Sequence, residues 1–251
     1  MTTISVCIIA HNEQEHLHNT LASVTWANEI IVVDCDSSDE TVRIAQQFTQ
    51  KIFHRPNLPN LNENKNYSFE QATSEWILCL DADEHISFAL QQEIQSLLSS
   101  ENCCDGYFIK RKNYFFGKWL RHGGQFPDIQ LRLFRKGKGK FPARHVHERV
   151  LVNGEIGTLQ HPFEHHPYNT VSQCIRKMDF YTSLEAEKIR ETIDAPNVFD
   201  TLKYFFFRPM RRFISRYFLK LGFLDGAAGF LASFFDAIAQ VISYAKFYFH
   251  Q

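Results

Sequence analysis
The stretch Trp76-Ile77-Leu78-Cys79-Leu80-Asp81-Ala82-Asp83-Glu84 constrains this chain more than any other. A continuous apolar run that ends in carboxylates reads as a strand buried on both faces. Its acidic end then lies where the strand leaves the sheet, which is where open α/β sheets bind ligands. Asp81 and Asp83, two residues apart at that exit, can hold a divalent cation against a diphosphate. Hard oxygen ligands suit Mg²⁺ or Mn²⁺. An acidic turn with no ligand has the same pattern, so the rest of the chain must decide between them.

The first hundred residues alternate strand and helix. Ile4 to Ala10 and Glu29 to Asp34 are β-branched apolar runs, hence buried strands, and Lys51-Ile52-Phe53 is a shorter third. Helices are predicted from about Glu13 to Val24, after a cap at Ser38 or Asp39, from Lys65 to Ala72 behind a polar loop at Asn60 to Asn64, and from Ala89 to Leu98. This alternation implies an α/β fold with a mostly parallel central sheet. No GxGxxG follows the first strand, so the dinucleotide fingerprint is absent. A metal on Asp81 and Asp83 is the obvious way to neutralise phosphate charge.

A net charge of −1 over 251 residues gives no global pull toward nucleic acid. The six cysteines include no CxxC pair and read as reduced thiols of a cytoplasmic protein. No secretory signal precedes the first strand.

Four pieces now add up. Ile9-Ala10-His11-Asn12-Glu13, Val32-Val33-Asp34 with Ser37 and Asp39-Glu40-Thr41, Lys65-Asn66, and Leu80-Asp81-Ala82-Asp83 together resemble the inverting GT-A glycosyltransferases of family 2. The resemblance implies a GT-A nucleotide-sugar-binding fold and a UDP-sugar donor. It implies a nucleoside pocket lined by Ala10, Asn12, Glu13 and Asp34, with Lys65 near the nucleotide. Asp81 and Ala82 would face the ribose and sugar, and Asp83, with Asp81, would bind the metal. One departure stands out: where the family commonly has Gly two residues after the second strand's Asp, this chain has Asp36, which tolerates positive φ less readily.

The middle of the chain should meet the acceptor. Gly106 to Arg111 and Gln130 to Arg135 read as strands. Tyr114 to Gly124, aromatic and basic, reads either as a mobile loop over a sugar site or as an ordinary hydrophobic loop under a lid. Lys136 to Lys140 is a basic turn suited to a phosphorylated acceptor. Trp119, Arg132, Arg135 and His147 are the acceptor or phosphate candidates. An inverting transferase needs a carboxylate to take the proton of the attacking hydroxyl, and Glu148 and Asp128 are the candidates, Glu148 being favoured. Val146-His147-Glu148, Pro127-Asp128, Leu131-Arg132-Leu133-Phe134-Arg135, His165, Lys177 and Tyr181-Thr182 resemble the lipopolysaccharide core β-1,4-glucosyltransferase subset of the family. That implies glucose transfer to an inner-core heptose of a lipid A-linked acceptor. His161, His165 and His166 lack the partners of a zinc site.

A helix is predicted from Val171 to Thr192, and Asp194 to Asn197 breaks it. We therefore expect a catalytic domain over 1–195 and a basic, Phe-rich helical region over 196–251. There Arg208, Arg212, Arg216 and Lys220 step by four, as do Phe206 and Met210, with Phe213, Tyr217 and Leu221 continuing the apolar set. A basic amphipathic helix of this kind fits an anionic membrane surface or an oligomer contact. Asp236 interrupts the apolar run from Ala227 to Phe249, which argues for an interfacial hairpin over a spanning helix. The expected protein is peripheral on the cytoplasmic face of the inner membrane. Rival readings are a family 2 transferase acting on a polyprenyl-linked glycan or a protein, a nucleotidyltransferase, and a non-catalytic UDP-sugar binding protein.

Overall fold
Both faces of the first two apolar runs are covered. In the computed structural model, which describes residues 2–100, 104–143 and 148–249, every residue of β1 (Ile4–Ala10) and β2 (Glu29–Cys35) is buried. Between and after them come α1 (Leu17–Ala22), α2 (Thr41–Ala45), β3 (Ile52–Arg55), α3 (Leu61–Gln71), β4 (Trp76–Asp81), β5 (Glu84–His85) and α4 (Phe88–Leu98). The order β3-β2-β1-β4 is parallel throughout. Ala10 pairs with Asp34 and Ile9 with Asp81, so the exits of β1, β2 and β4 lie side by side. This is the mouth the sequence pattern calls for.

The sheet continues through β6 (Gly106–Phe115) and β8 (Asp128–Arg135), with β8 antiparallel to β4. Beyond β6 comes β12 (Phe163–His165), and the path ends at β5, which pairs antiparallel with β12 and sets Glu84 opposite His165. Short β7 (Lys118–Trp119) and β11 (Ile156–Thr158) flank β6, while β9 (Gly139–Lys140) and β10 (Leu151–Val152) form a separate ribbon. The core under the parallel strands joins Val6, Ile8, Leu17, Leu21, Trp76, Leu78, Leu80 and Leu90.

Three local expectations change. The polar run Asn60 to Asn64 is the start of α3 and not a loop. Asn60 caps it by accepting from the Asn62 N–H at 3.2 Å, and Asn64 is buried while donating to the Pro56 carbonyl at 2.8 Å. Polar side chains that satisfy backbone groups can be internal. The first helix is shorter than expected because Glu13 closes a turn, its carbonyl accepting from the His16 and Leu17 N–H groups. Tyr114 to Gly124 begins as a hairpin: Tyr114 pairs with Trp119 and Phe115 with Lys118 across a turn whose Gly117 sits at φ 77.

Glu29 anchors the other end of the sheet. It is buried and accepts from Lys51, Ser5 and both the N–H and hydroxyl of Thr73. Burial acts to raise its pKa, but these hydrogen bonds outweigh burial and lower it to about 2. A depressed carboxylate contributes stability above its unfolded pKa and loses it as pH falls through the folded one. Glu29→Gln is therefore expected to cost about 2 kcal/mol at neutral pH. That cost should shrink between pH 4.5 and about 2, as read by urea unfolding of both proteins. A pH-independent cost would show that packing, not ionisation, is lost.

The chain forms two compact units, Met1–Arg111 with Ile129–His165, and Lys112–Asp128 with His166–Gln251. In the second, α5 (Val171–Thr192) opens on a capping box of Thr170 and Gln173. After Asn197, a second capping box starts a continuous helix made of α6 (Val198–Leu202), a π turn (Lys203–Phe207), α7 (Arg208–Phe213) and a second π turn (Ile214–Leu219). A 3₁₀ turn (Gly222–Asp225) reverses the chain into α8 (Gly226–Phe249). The reversal needs glycine, since a Cβ on Gly229 would lie 2.0 Å from the Gly222 carbonyl oxygen.

Candidate active site
At the nucleoside end, the exits of β1 and β2 are stitched together. Asn12, at φ 54, donates its N–H to Ser37 Oγ at 3.0 Å and accepts from the Ser38 N–H through Oδ1 at 2.8 Å. The Glu13 N–H donates to Thr41 Oγ1 at 2.8 Å. Asp36 occupies the position where glycine was expected. It takes φ 53 itself, and its Oδ2 accepts from the Asn57 N–H at 3.1 Å. The turn survives the loss of glycine because Asp is among the few residues that enter this region with local hydrogen bonding. Asp34 is 3% exposed. Its Oδ2 faces His54 Nδ1 at 3.2 Å, while Oδ1 is buried without a hydrogen-bond partner among the described residues. A buried carboxylate oxygen left unpaired is costly, and a ligand N–H or hydroxyl would satisfy it.

An ion network occupies the exit of β4. Asp81 Oδ1 meets Lys65 Nζ at 2.5 Å, and Asp81 Oδ2 meets Arg132 Nη2 at 2.7 Å. Arg132 reaches from β8 to Glu84 Oε1 at 2.5 Å, which Arg111 also approaches at 3.2 Å. Glu84 Oε2 accepts from the Asp81 N–H at 2.9 Å. Burial would push the Asp81 carboxyl up, but Arg132 and then Lys65 hold it far below the usual carboxylate range. Burial would push Lys65 down, and Asp81 instead raises it. Ala82 is buried, its carbonyl accepting from Thr20 Oγ1 at 2.6 Å, which fixes the turn between the two aspartates.

Asp83 is the second aspartate of this turn, and its charge bears on Asp81. It is 6% exposed, and its Oδ1 lies 3.6 Å from His165 Nε2. Both oxygens of Asp81 meet cations, and Asp83 Oδ1 lies beside His165. Among the described residues no cluster of three or more His, Cys, Asp or Glu is arranged for a metal. Two protein donors still fit Mg²⁺ or Mn²⁺, which take their remaining ligands from phosphate and water. The charge balance agrees: Lys65, Arg111 and Arg132 match Asp81, Asp83 and Glu84, so these six side chains bring no net positive charge to a diphosphate.

The remaining candidates are dispersed. Glu148 is half-buried in the first unit, and His147 lies outside the described residues. Asp128, in the second unit, accepts from Asn113 Nδ2 at 3.1 Å. Arg135 pairs with Trp76, at the opposite end of β4 from Asp81, lies over the Trp76 ring at 4.8 Å and faces Asp105 at 3.7 Å. It is not part of the cluster. The Trp119 ring has the Lys112 ammonium 4.7 Å and the Arg121 guanidinium 4.4 Å from its centroid, so cations take stacking positions that a sugar would need. Glu84 and Arg111 were missed as members of the network, and His165 as the partner of Asp83. The one available signal for Glu84 was its place in the acidic run after β4.

A mostly parallel central sheet that gathers a buried carboxylate and an acidic turn at its strand exits is the architecture of the GT-A fold. Residues 5–154 match the model of Glycosyl transferase family 2, and the chain belongs to that family. It is 25% identical over 252 residues to the lipopolysaccharide core biosynthesis glycosyltransferase LpsC of Rhizobium meliloti, covering 98% of this chain and 92% of the relative. An uncharacterized glycosyltransferase of Rickettsia felis is 29% identical over 265 residues, covering 98% and 89%. Among solved structures, Staphylococcus aureus TarS 1-349 in complex with UDP-GlcNAc is similar with a TM-score of 0.51 at 15% identity, covering 96% of this chain and 82% of that one. The protein is thus a family 2 glycosyltransferase similar over nearly its whole length to an enzyme of lipopolysaccharide core assembly.

Proposed function
We propose that the protein transfers a sugar, glucose from UDP-glucose, to a hydroxyl of an inner-core heptose on a lipid A-linked acceptor, with inversion to a β-linkage. The observation that carries the transferase chemistry is the cluster at the β4 exit: a committed Asp81, and an Asp83–His165 pair at 3.6 Å beside it. The acceptor rests on the similarity to LpsC over 98% of the chain. The protein acts at the cytoplasmic face of an anionic membrane, where such an acceptor is embedded.

Asp34 accepts from the nucleoside through its open oxygen, and Asn12 and Glu13 shape the loop above it. Asp83, with His165 beside it, would hold Mg²⁺ or Mn²⁺, which when bound would supply positive charge to the departing diphosphate. Glu148 accepts the proton of the acceptor hydroxyl as its oxygen bonds to the anomeric carbon. The bond to the donor phosphate breaks on the opposite face, and UDP leaves with its electron pair.

The test is UDP release by the purified protein over a panel of UDP-sugars, with Mn²⁺, Mg²⁺ or EDTA, and with truncated core lipopolysaccharide or a polyprenyl-linked glycan. Acceptor-dependent UDP release from UDP-glucose on core acceptor alone is expected. Turnover only on the polyprenyl glycan would replace the acceptor, and pyrophosphate release would make the protein a nucleotidyltransferase. Glu148→Gln should lower kcat by about 10²–10⁴-fold with UDP affinity unchanged. Asp128→Asn should have a smaller effect, and the reverse order would move the base to Asp128.

A further inference from the structure
We propose that the helix from Val198 to Leu219 lies in the interface of an anionic membrane on the face bearing Val198, Leu202, Phe206, Met210, Ile214 and Phe218. These six residues step by four and all are exposed, with Val198 72%, Phe206 63%, Met210 57% and Phe218 53% accessible. In a regular α-helix a step of four drifts around the axis, because a turn holds 3.6 residues. The two π turns, Lys203–Phe207 and Ile214–Leu219, wind more widely and cancel that drift. The stripe therefore stays straight along the helix.

This face is not the one the sequence pattern singles out. Arg212 and Arg216 both turn to Asp236 of α8, at 2.5 and 2.6 Å. The Arg208 guanidinium lies 4.4 Å from the Tyr204 ring centroid. Phe213 and Tyr217 pack on Phe230, with centroids 5.8 and 5.6 Å away. The expected basic stripe is thus largely used inside the unit, and the expected apolar set splits, with Phe213 and Tyr217 inward and Phe206, Met210 and Leu221 exposed. The adjoining face of the helix alternates Phe199, Lys203, Phe207 and Arg211 before Leu219, all exposed. No acidic residue occurs from Thr201 to Leu224.

An apolar strip edged by exposed cations is complementary to anionic headgroups over acyl chains. A second copy of this chain offering the same face would bring no acid to meet Lys203 and Arg211. The surface needs no spanning segment. The stretch Gly222–Phe249 is long and apolar enough to cross a membrane. Yet Ala232, Ala237, Tyr244 and Phe247 are buried, Asp236 is paired with two arginines, and Lys246 is bonded to Asp179 at 2.7 Å.

The surface deepens the membrane part of the reading above and is tested without donor or acceptor. The full chain is floated with phosphatidylcholine vesicles, with and without phosphatidylglycerol, at low and high salt. Binding is expected on the anionic vesicles, falling with salt. The triple variant Phe206→Ser, Met210→Ser, Phe218→Ser should lower it about tenfold or more. Lys203→Glu with Arg211→Glu should do so on anionic vesicles only. A single Phe206→Trp should shift its emission to the blue on vesicles and be quenched by brominated lipid. Wild-type protein that stays unbound at low salt, a triple variant that floats unchanged, or an unshifted Trp each overturns the proposal. A stable dimer dissolved by the triple variant would also overturn it, by naming a second copy as the cover. Wild-type protein that fails to float yet releases UDP would sink this surface and leave the proposed transfer standing.

Discussion
Replacing Arg132 by methionine is expected to lower the unfolding free energy by about 3–5 kcal/mol, the range found when one partner of a buried ion pair is removed. Arg132 is 5% exposed and bridges Asp81 and Glu84, and Glu84 is wholly buried. Methionine fills much of the space of the side-chain stem but leaves both carboxylates short of a cation. Arg111, at 3.2 Å, and Lys65, at 2.5 Å, would each then serve one carboxylate alone. Against a typical total of about 5–15 kcal/mol, such a loss is a large fraction of the stability. Arg132→Lys should fall between, because a single ammonium cannot fork across two carboxylates. Urea unfolding at unchanged m-value reads the loss directly. A cost under about 1 kcal/mol for Arg132→Met would mean the pair behaves as a surface bridge, and the network would lose its structural role.

That network shows where sequence reading stops. The strands around the site were legible to within a residue or two, because burial on both faces leaves continuous runs such as Ile4–Ala10 and Trp76–Asp81 that no other element imitates. The helix Val171–Thr192 was legible from its apolar spacing and from the Asp-Ala-Pro-Asn that follows it, while the Thr170 cap at its start went unread. The partners of Asp81 were not, since Lys65 and Arg132 come from 16 and 51 residues away on different elements. Nor was the pairing of Asp83 with His165, which depends on β12 laying His165 beside Glu84. The C-terminal helix is an intermediate case. Its step of four was visible, but α-helical geometry alone assigns the wrong outer face. The π turns, together with Asp236 drawing in Arg212 and Arg216, decide the matter.

Asp83→Ala is expected to lower kcat/KM for UDP release by about 10³-fold, the factor equivalent to several kcal/mol of lost charge stabilisation on the leaving group. The argument turns on how unlike the two aspartates are. Asp81 meets Lys65 and Arg132 with its two oxygens, whereas Asp83 has its Oδ1 3.6 Å from His165. The two variants should therefore fail in different ways. Asp83→Ala should keep its stability to within about 1 kcal/mol and lose Mn²⁺-dependent UDP binding, followed by calorimetry and by the electron paramagnetic resonance of free Mn²⁺. Asp81→Asn should lose stability first, because it strips Lys65 of its partner, and should still bind Mn²⁺ with UDP where it remains folded. His165→Asn should weaken Mn²⁺ binding less than Asp83→Ala, since one neutral donor is lost and the carboxylate stays. If instead Asp81→Asn abolishes Mn²⁺ binding while Asp83→Ala preserves it, the ion sits on Asp81. The salt bridges to Lys65 and Arg132 would then have to open when the donor arrives.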